Sequence, residues 1–179
     1  TAKIAIKLLE EQNKEAAKEL AEKLRKLNEE RKEMTENGTI KATEMAENSD
    51  NKVLVIYLKD CHESVAGIIA GRVREKFNKP TIVLTDAEDG VKGSGRSIEE
   101  YNMYEELSKV REVFTKFGGH KMAAGVSLKK ENIENLRKKL NENCNLTEED
   151  LYLKVWIDMQ LPLEYVTIEL IDQLTLLAP

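Results

Sequence analysis

Hydrophobic residues in the first third of the chain recur at steps of three and four positions between charged side chains. The resulting stripe contains Leu9, Ala16, Leu20, Leu24 and Leu27. Lysine and glutamate fill the other faces, which is typical of an amphipathic helix. The pattern predicts a long connector helix within residues 1–50, with Asn37-Gly38 as the point where it kinks or breaks. Such a stripe cannot bury itself, so the helix must pack on another part of the protein.

After residue 51 the pattern changes to short apolar runs separated by amphipathic stretches. The runs at residues 53–58 and 81–85 are continuous and rich in β-branched side chains, as in buried parallel strands. Between them, residues 65–77 have helical spacing, and Ser64 is the expected N-cap. This β–α–β order predicts an α/β fold, with a mixed β-sheet flanked by helices and preceded by the long connector helix.

Further elements are predicted downstream. They are a glycine-bearing strand or hairpin at residues 91–98, a helix at 102–117, a strand at 123–128 and a helix at 131–140. The alternation of Leu151, Leu153, Val155 and Ile157 predicts a final half-exposed strand, and residues 167–177 predict a short helix. We therefore expect a connector over residues 1–50, an α/β domain over 51–145 and a tail over 146–179.

Composition limits the classes of protein that fit. The 179 residues are 41% hydrophobic and 34% charged, which suits a globular core with a heavily charged helical part. No apolar run reaches the roughly 18 residues that span a bilayer, so a membrane span is excluded, and we expect no membrane partner. Cys61 and Cys144 are too few for a disulfide framework, so we expect a reducing, cytoplasmic setting. Because the chain opens with Thr1 and ends within an apolar run, we expect it to be part of a longer protein.

The distribution of charge limits where an anion can bind. The net charge of −5 argues against a general nucleic-acid-binding surface. Residues 52–128, however, carry 12 basic and 11 acidic side chains. Any anion site must therefore be a local cluster within this middle segment.

The first candidate cluster is the segment KGSGRS at residues 92–97. Glycines on both sides of Ser94 allow a ligand to approach the backbone, and consecutive amides can form an anion-binding nest. Arg96 offers a planar fork suited to phosphate, and Ser97 adds a second hydroxyl. The segment lacks the ending of a Walker loop, and a hairpin rich in turn residues explains it equally well.

The second candidate cluster is the segment FGGHKMAAG at residues 117–125. Gly118 and Gly119 free the backbone, His120 donates or accepts near neutral pH, and Lys121 supplies a point charge. The following small residues leave room for a bulky ligand. Taken alone, a structural hydrogen-bonding role for His120 remains the alternative.

In order along the chain, CHESVAG at residues 61–67, GSGRS at 93–97 and FGGHKMAAG at 117–125 resemble the RecJ family of single-strand-specific exonucleases. The resemblance covers residues 52–143 and is to the DHH-associated domain that follows the family's catalytic DHH domain. The opening helix is similar to the family's interdomain connector, and the tail is similar to the lead-in to an oligonucleotide-binding barrel. The chain departs from the family at Cys61, where an aromatic residue is common, and at Ser64, where glycine is.

The resemblance implies that the whole protein is an enzyme of DNA recombination and repair that hydrolyses single-stranded DNA from its 5′ end. It implies two divalent ions, Mn²⁺ or Mg²⁺, in the DHH domain. The present chain has only two histidines and no cluster of carboxylates and histidines of the kind that a two-metal site needs. We therefore expect no catalytic residue, no metal site and no nuclease activity in this chain alone. Its implied partners are single-stranded DNA and the DHH domain and oligonucleotide-binding barrel of the same protein.

The implied role of the chain is to hold the DNA backbone near the scissile bond. The expected substrate-binding residues are Ser94, Gly95, Arg96, Ser97, Gly118, Gly119, His120 and Lys121, together with His62. His62 either contacts the strand or supports its own loop. Tyr101 and Tyr104 either stack on bases or pack in the core or rim. Arg72 and Arg74 are expected to form surface ion pairs.

Two other functions fit the same residues. One is the equivalent domain of a DHH-family phosphodiesterase that acts on short oligonucleotides or cyclic dinucleotides. The other is a protein-interaction module in which the glycine segments only shape turns. The exonuclease hypothesis requires the two glycine segments to meet in space, with Arg96 and His120 on the same side of the molecule and open to solvent.

Overall fold

The long helical segment is present, but its break lies earlier than predicted. In the computed structural model, which describes residues 2–155, 157 and 159–177, helix α1 covers Ala2–Glu10 and helix α2 covers Lys14–Glu47. The Oδ1 atom of Asn13 accepts hydrogen bonds from the backbone amides of Glu15 and Ala16. An asparagine in this position satisfies amides that have no helical partner, so the second helix begins directly after it.

The remaining helices and strands confirm the α/β fold. They are β1 at Leu54–Tyr57, α3 at Glu63–Phe77, β2 at Thr81–Ala87, β3 at Gly90–Arg96, α4 at Met103–Ser108, β4 at Phe114–His120, β5 at Ala123–Leu128, α5 at Ile133–Glu142 and α6 at Ile168–Thr175. Short 3-10 turns precede β4, α5 and α6. Among the residues described, no helix combines the length and hydrophobicity needed to cross a membrane.

The strands form one five-stranded sheet in the order β1-β2-β3-β5-β4. Strands β1 and β2 are parallel, as the β–α–β pattern predicts, and the other pairs are antiparallel. Helix α3 and the last turns of α2 cover one face, with Ile69 and Ala42 fully buried between them. Helices α4 and α5 cover the other face, with Met103 and Leu136 in the larger core. The sheet is therefore mixed and flanked by helices.

Gly38 lies inside α2 and does not interrupt it. It is buried, and a Cβ atom at this position would lie 2.5 Å from the Cδ1 atom of Ile69. The absence of a side chain thus lets α2 and α3 come into close contact. Glycine in a helix costs about 1 kcal/mol relative to alanine, and the close packing outweighs this propensity. The predicted break at Asn37-Gly38 is wrong for this reason.

The helix predicted at residues 102–117 is much shorter than its pattern indicated. It ends at Ser108, and residues 114–117 belong to strand β4. Phe114 and Phe117 lie opposite Leu128 and Val126 of β5. Their spacing of three suits a helix face. Both lie opposite core residues of β5 only because the register shifts between Phe114 and Lys116, as at a β-bulge.

The tail contains the predicted short helix, α6, whose N-cap is Thr167. The predicted final strand is not found among the described residues of 151–157: Leu151 ends a 3-10 turn, and Leu153, Val155 and Ile157 are exposed without strand pairing. Residue 156 lies outside the described residues. Alternation alone does not make a strand, because a strand requires a pairing partner.

A side chain of α5 covers the free edge of β1. Asn141 accepts a hydrogen bond from the amide of Val53 at 3.0 Å and donates one to its carbonyl oxygen at 3.0 Å. We predict that Asn141→Ala lowers the free energy of unfolding by about 1–3 kcal/mol, because both backbone groups lose their partner. The measurement is chemical denaturation.

Asn135→Ala is the matched control for this prediction, because Asn135 is exposed on the same helix. Both variants gain the higher helix propensity of alanine, about 0.6 kcal/mol. Equal stability of the two variants would show that the Asn141 amide contributes nothing at this edge.

Candidate functional site

The two glycine-rich segments lie on strands β3 and β4, and both strands pair with β5. In the register of the sheet, Arg96 lies opposite Ala123, and Ala123 lies opposite His120. Residues directly opposite each other share one face of a sheet. Arg96 and His120 are therefore on the same face, separated by one strand, which corresponds to about 9.5 Å.

The same alternation places further residues on this face in rows across the three strands. One end row is Lys92–Ser127–Lys116, the middle row is Ser94–Gly125–Gly118, and the other end row is Arg96–Ala123–His120. Successive rows are two residues apart, or about 6.7 Å. Cationic or titratable side chains thus lie in both end rows, and the middle row has only small residues.

The middle row is open to solvent, and the beginning of α3 forms a wall beside it. A Cβ atom on Gly118 or Gly125 would meet nothing within 4 Å. Glu63 and Ser64 of α3 line the same depression, whose volume is about 570 Å³. We call this depression, with the Arg96–His120 row at its end, the groove. Its floor is backbone, so a ligand can approach the sheet closely.

The guanidinium of Arg96 is held in place at the wall of the groove. Its Nη1 atom donates to the Oγ atom of Ser94 at 2.7 Å and to the carbonyl oxygen of Gly95 at 2.8 Å. A Cβ atom on Gly67 of α3 would lie only 2.8 Å from the Nη2 atom. The fork is therefore preorganised, because α3 limits where it can move.

His120 is exposed at the end of β4. The backbone amide of Met122 donates to its Nδ1 atom at 3.3 Å. When Nδ1 accepts, a neutral imidazole carries its proton on Nε2. His120 can therefore donate a hydrogen bond to an anion without being charged.

The lysines around the groove differ in how they are compensated. The Nζ atom of Lys92 lies 3.6 Å from the carboxylate of Glu63, and that of Lys121 lies 2.6 Å from the carboxylate of Glu99. Within the described part of the chain, Lys116 has no carboxylate within 4 Å. Among the lysines described around the groove, Lys116 is therefore the uncompensated one.

Three of the predicted site residues do not face the groove. Ser97 is 1% exposed, and its hydroxyl donates to the carbonyl oxygen of Tyr101. Gly95 and Gly119 lie on the opposite face, where a Cβ atom would meet Met103 and Ala124 respectively. Close packing of the sheet accounts for these glycines.

The anion-binding nest expected at residues 92–97 is wrong. The segment is part of strand β3, which pairs with β2 on one side and with β5 on the other. Its backbone amides are directed to neighbouring strands, so they cannot converge on an anion. Only side chains of this segment can bind a ligand in the groove.

His62, and not Ser64, is the N-cap of α3. Its Nδ1 atom accepts a hydrogen bond from the amide of Ser64 at 3.2 Å, and the Ser64 hydroxyl lies 2.8 Å from the same nitrogen. The ring therefore supports the loop that begins the wall of the groove. Of the two roles considered for His62, the geometry favours this one.

The two candidate tyrosines differ in exposure, and the two candidate arginines differ in ion pairing. Tyr101 is 4% exposed in the core, and burial holds the pKa of its hydroxyl well above the ordinary range. Tyr104 is 47% exposed. Arg74 pairs with Glu75 at 3.2 Å, as expected, whereas Arg72 has no ion pair among the described residues.

The expected substrate-binding residues did not include Lys92, Lys116, Gly125 and Ser127, which also lie on the groove face. Lys92 and Gly125 belong to the two candidate segments, whereas Lys116 and Ser127 lie outside them. The signal was available, because Lys92 is two residues before Ser94, and Lys116 is two residues before Gly118. In a strand, residues two apart share a face. Lys116 was missed because residues 114–117 were interpreted as helix.

Metal-binding groups are sparse in the described part of the chain. No three or more His, Cys, Asp or Glu side chains in it lie close enough together to hold a metal ion. The groove offers cationic side chains, hydroxyl groups and one imidazole, which suit an anion.

Comparison with known proteins adds the family. Residues 50–146 match the family model of the DHHA1 domain. The chain is similar to the single-stranded-DNA-specific exonuclease RecJ of Bacillus subtilis, with 39% identity over 181 residues, covering 98% of this chain and 23% of that relative. It is similar to RecJ of Escherichia coli, with 35% identity over 137 residues, covering 70% of this chain and 24% of that relative.

Solved structures of RecJ are also similar to the chain. The crystal structure of RecJ in complex with Mn²⁺ from Thermus thermophilus matches with a TM-score of 0.71 and 26% identity, covering 79% of this chain and 21% of that chain. A second structure, of exonuclease RecJ bound to manganese, matches with a TM-score of 0.72 and 25% identity, covering 79% and 35%. The chain spans about a quarter of the length of the curated relatives named above.

The close approach of Gly67 to Arg96 generates a stability prediction. Gly67→Ala places a methyl group against the guanidinium and displaces it, whereas Gly71→Ala on the same helix meets nothing within 4 Å. Glycine-to-alanine replacement in a helix stabilises by about 0.4–1 kcal/mol. We expect this gain for Gly71→Ala and a smaller gain or a loss for Gly67→Ala, measured by chemical denaturation. Equal gains, with an unchanged NMR signal of the Arg96 side chain, would contradict the packing described.

Proposed function

Because the chain belongs to the DHHA1 domain family, we propose that its groove binds the sugar–phosphate backbone of single-stranded DNA within a 5′→3′ exonuclease of DNA recombination and repair. The observation that carries the proposal is the set of three rows across β3, β5 and β4, with Lys92 and Lys116 at one end and Arg96 and His120 at the other. Several cations on one narrow strip suit a chain of phosphates better than a single small anion.

The middle row determines how the strand would lie. Phosphates would contact the side chains of the two end rows, and the part of the strand between them would lie over Gly118 and Gly125, where no side chain obstructs it. Ser94 and Ser127 add hydroxyl groups beside this path. Contacts of this kind position a strand without reading its sequence, which suits an enzyme that acts on any sequence.

The binding is proposed to be weak for the chain alone. Lys92 and Lys121 are already paired with Glu63 and Glu99, so a phosphate must compete with a carboxylate for each of them. Lys116 and the preorganised fork of Arg96 remain available. Weak binding suits a surface whose task is to position a strand for a neighbouring domain.

We propose that the metal ions act in another domain of the same protein. The two manganese-bound RecJ structures support divalent ions in such enzymes, and this chain's own residues would hold the strand. The DHH domain and the oligonucleotide-binding barrel are the proposed partners. Exposed apolar side chains on α1 and α6, including Leu9, Ile168 and Leu174, support contacts with further domains. A cytoplasmic location is part of the proposal and fits the free thiols of Cys61 and Cys144.

We predict that Arg96→Ala and His120→Ala each weaken binding of a single-stranded oligonucleotide by about 10- to 100-fold at low salt, because a charge-assisted hydrogen bond contributes on the order of 1.5–3 kcal/mol. The salt dependence of log K should fall by about 0.7 for Arg96→Ala, as one phosphate contact is lost. Fluorescence anisotropy at several salt concentrations measures both effects.

Arg72→Ala is the control for charge, because Arg72 is exposed on α3 and does not line the groove. It should bind nearly as the unchanged chain does. Thermal unfolding confirms that each variant is folded. Equal affinities for the unchanged chain, Arg96→Ala and His120→Ala would favour the interaction-module hypothesis over nucleic-acid binding.

We further predict that this chain alone does not degrade single-stranded DNA in the presence of Mn²⁺. The reason is the residue inventory of the described part of the chain, which holds no group of three metal-ligating side chains. Gel analysis of a 5′-labelled oligonucleotide is the measurement. Manganese-dependent shortening that persists after repurification, and that EDTA abolishes, would refute the division of labour proposed here.

A further inference from the structure

An aromatic and cationic cluster lies beside the groove, on the other face of the same edge strand. It consists of Tyr104, Arg111, Phe114 and Phe117, and we call it the β4 patch. Phe117 lies opposite Val126, on the sheet face that α4 covers, whereas its neighbours Lys116 and Gly118 lie on the groove face. Phe117 also lines the depression at this edge. Because β4 is the last strand of the sheet, only the thickness of this strand separates the patch from the groove.

The three rings of the β4 patch pack against one another, and their exposure increases from Phe114 to Tyr104. Phe114 is 9% exposed and anchors the cluster, with its ring centroid 5.3 Å from that of Phe117. The Phe117 centroid is 5.9 Å from that of Tyr104, which is 47% exposed. The guanidinium of Arg111 lies 4.9 Å from the Phe117 centroid. The cluster therefore presents an exposed tyrosine ring and a planar cation on a fixed base.

Among the described residues, no carboxylate compensates the cation of the β4 patch, Arg111, or the neighbouring Lys116 of the groove. Within the described part of the chain, neither Arg111 nor Lys116 has a carboxylate within 4 Å. The carboxylate adjacent to Arg111 in sequence, that of Glu112, is bonded to Lys139 of α5. Two cations without a carboxylate partner, beside an exposed aromatic ring, suit an anionic ligand with flat apolar groups.

On the basis of the proposed function, we propose that the β4 patch stacks a base of the single strand whose phosphates lie in the groove. A phosphate beside Lys116 would place its nucleotide at the edge of β4, and the base would pass over this edge onto Tyr104, with Arg111 beside it. Every base has a π-face, so stacking of this kind is tolerant of sequence. Of the two tyrosines considered in the sequence, Tyr104 is the stacking residue, because Tyr101 is buried.

The test compares an oligothymidine with an abasic oligonucleotide of the same length and charge. Tyr104→Ala should weaken binding of the oligothymidine by about tenfold, as expected for one stacked base, and should leave the abasic strand unaffected. Tyr104→Phe retains the ring and should restore the affinity. An oligonucleotide containing 2-aminopurine should lose fluorescence on binding to the unchanged chain and less so on binding to Tyr104→Ala.

Tyr152→Ala is the matched control, because Tyr152 is 64% exposed and does not line the groove. If the unchanged chain binds both oligonucleotides equally well, or Tyr104→Ala weakens both equally, the stacking proposal is refuted and backbone binding in the groove survives. If the unchanged chain binds neither oligonucleotide, the proposed function itself fails. An acidic peptide serves as a third ligand. If Tyr104→Ala weakens binding of this peptide and of neither oligonucleotide, the patch belongs to a protein partner and stacking is again refuted.

Discussion

Strand β5 hydrogen-bonds to β3 on one side and to β4 on the other, and this double pairing generates the groove. Ala124, Val126 and Leu128 point into the larger core, so the residues between them must point to the opposite face. A slip of one residue in the register would expose the apolar set and bury the other. The burial of three apolar side chains on one face therefore fixes the positions of Gly125 and Ser127 on the other, and with them the alignment of Arg96 and His120.

Two glycines allow the helices on one side of this sheet to pack closely. Gly67 brings α3 against Ser94 and Arg96, and Gly38 brings α2 against α3. In each case the absent side chain lets the helix backbone contact a side chain of the neighbouring element. The position of the groove wall thus depends on packing that extends from the sheet through α3 to the long helix. The guanidinium of Arg96 takes part in this packing, because it contacts α3.

Much of the fold could be predicted, because local patterns determine it. The continuous runs of β1 and β2 and the helical spacing of α3 have single interpretations, and they are confirmed. Strand β4 could not be predicted, since Met103, Leu107, Val110 and Phe114 have helical spacing and only pairing with β5 reveals the strand. The same error hid Lys116. The motifs correctly indicated Arg96 and His120 as neighbours on one face, but they also included Gly95 and Ser97, whose roles are in packing and depend on contacts that no local pattern contains.

The long helix has a consequence of its own. Its buried residues are Thr35, Gly38, Ala42 and Ala46, so only its last third rests on the sheet domain. The preceding stretch of residues 14–34 projects as a rod of about 30 Å. A flexible linker lets two domains sample many distances, whereas a helix acts as a rigid spacer that holds them at one distance. The beginning of α2 is therefore held at a set distance from the sheet, and a tilt of this helix would be transmitted to α3, on which its last turns pack.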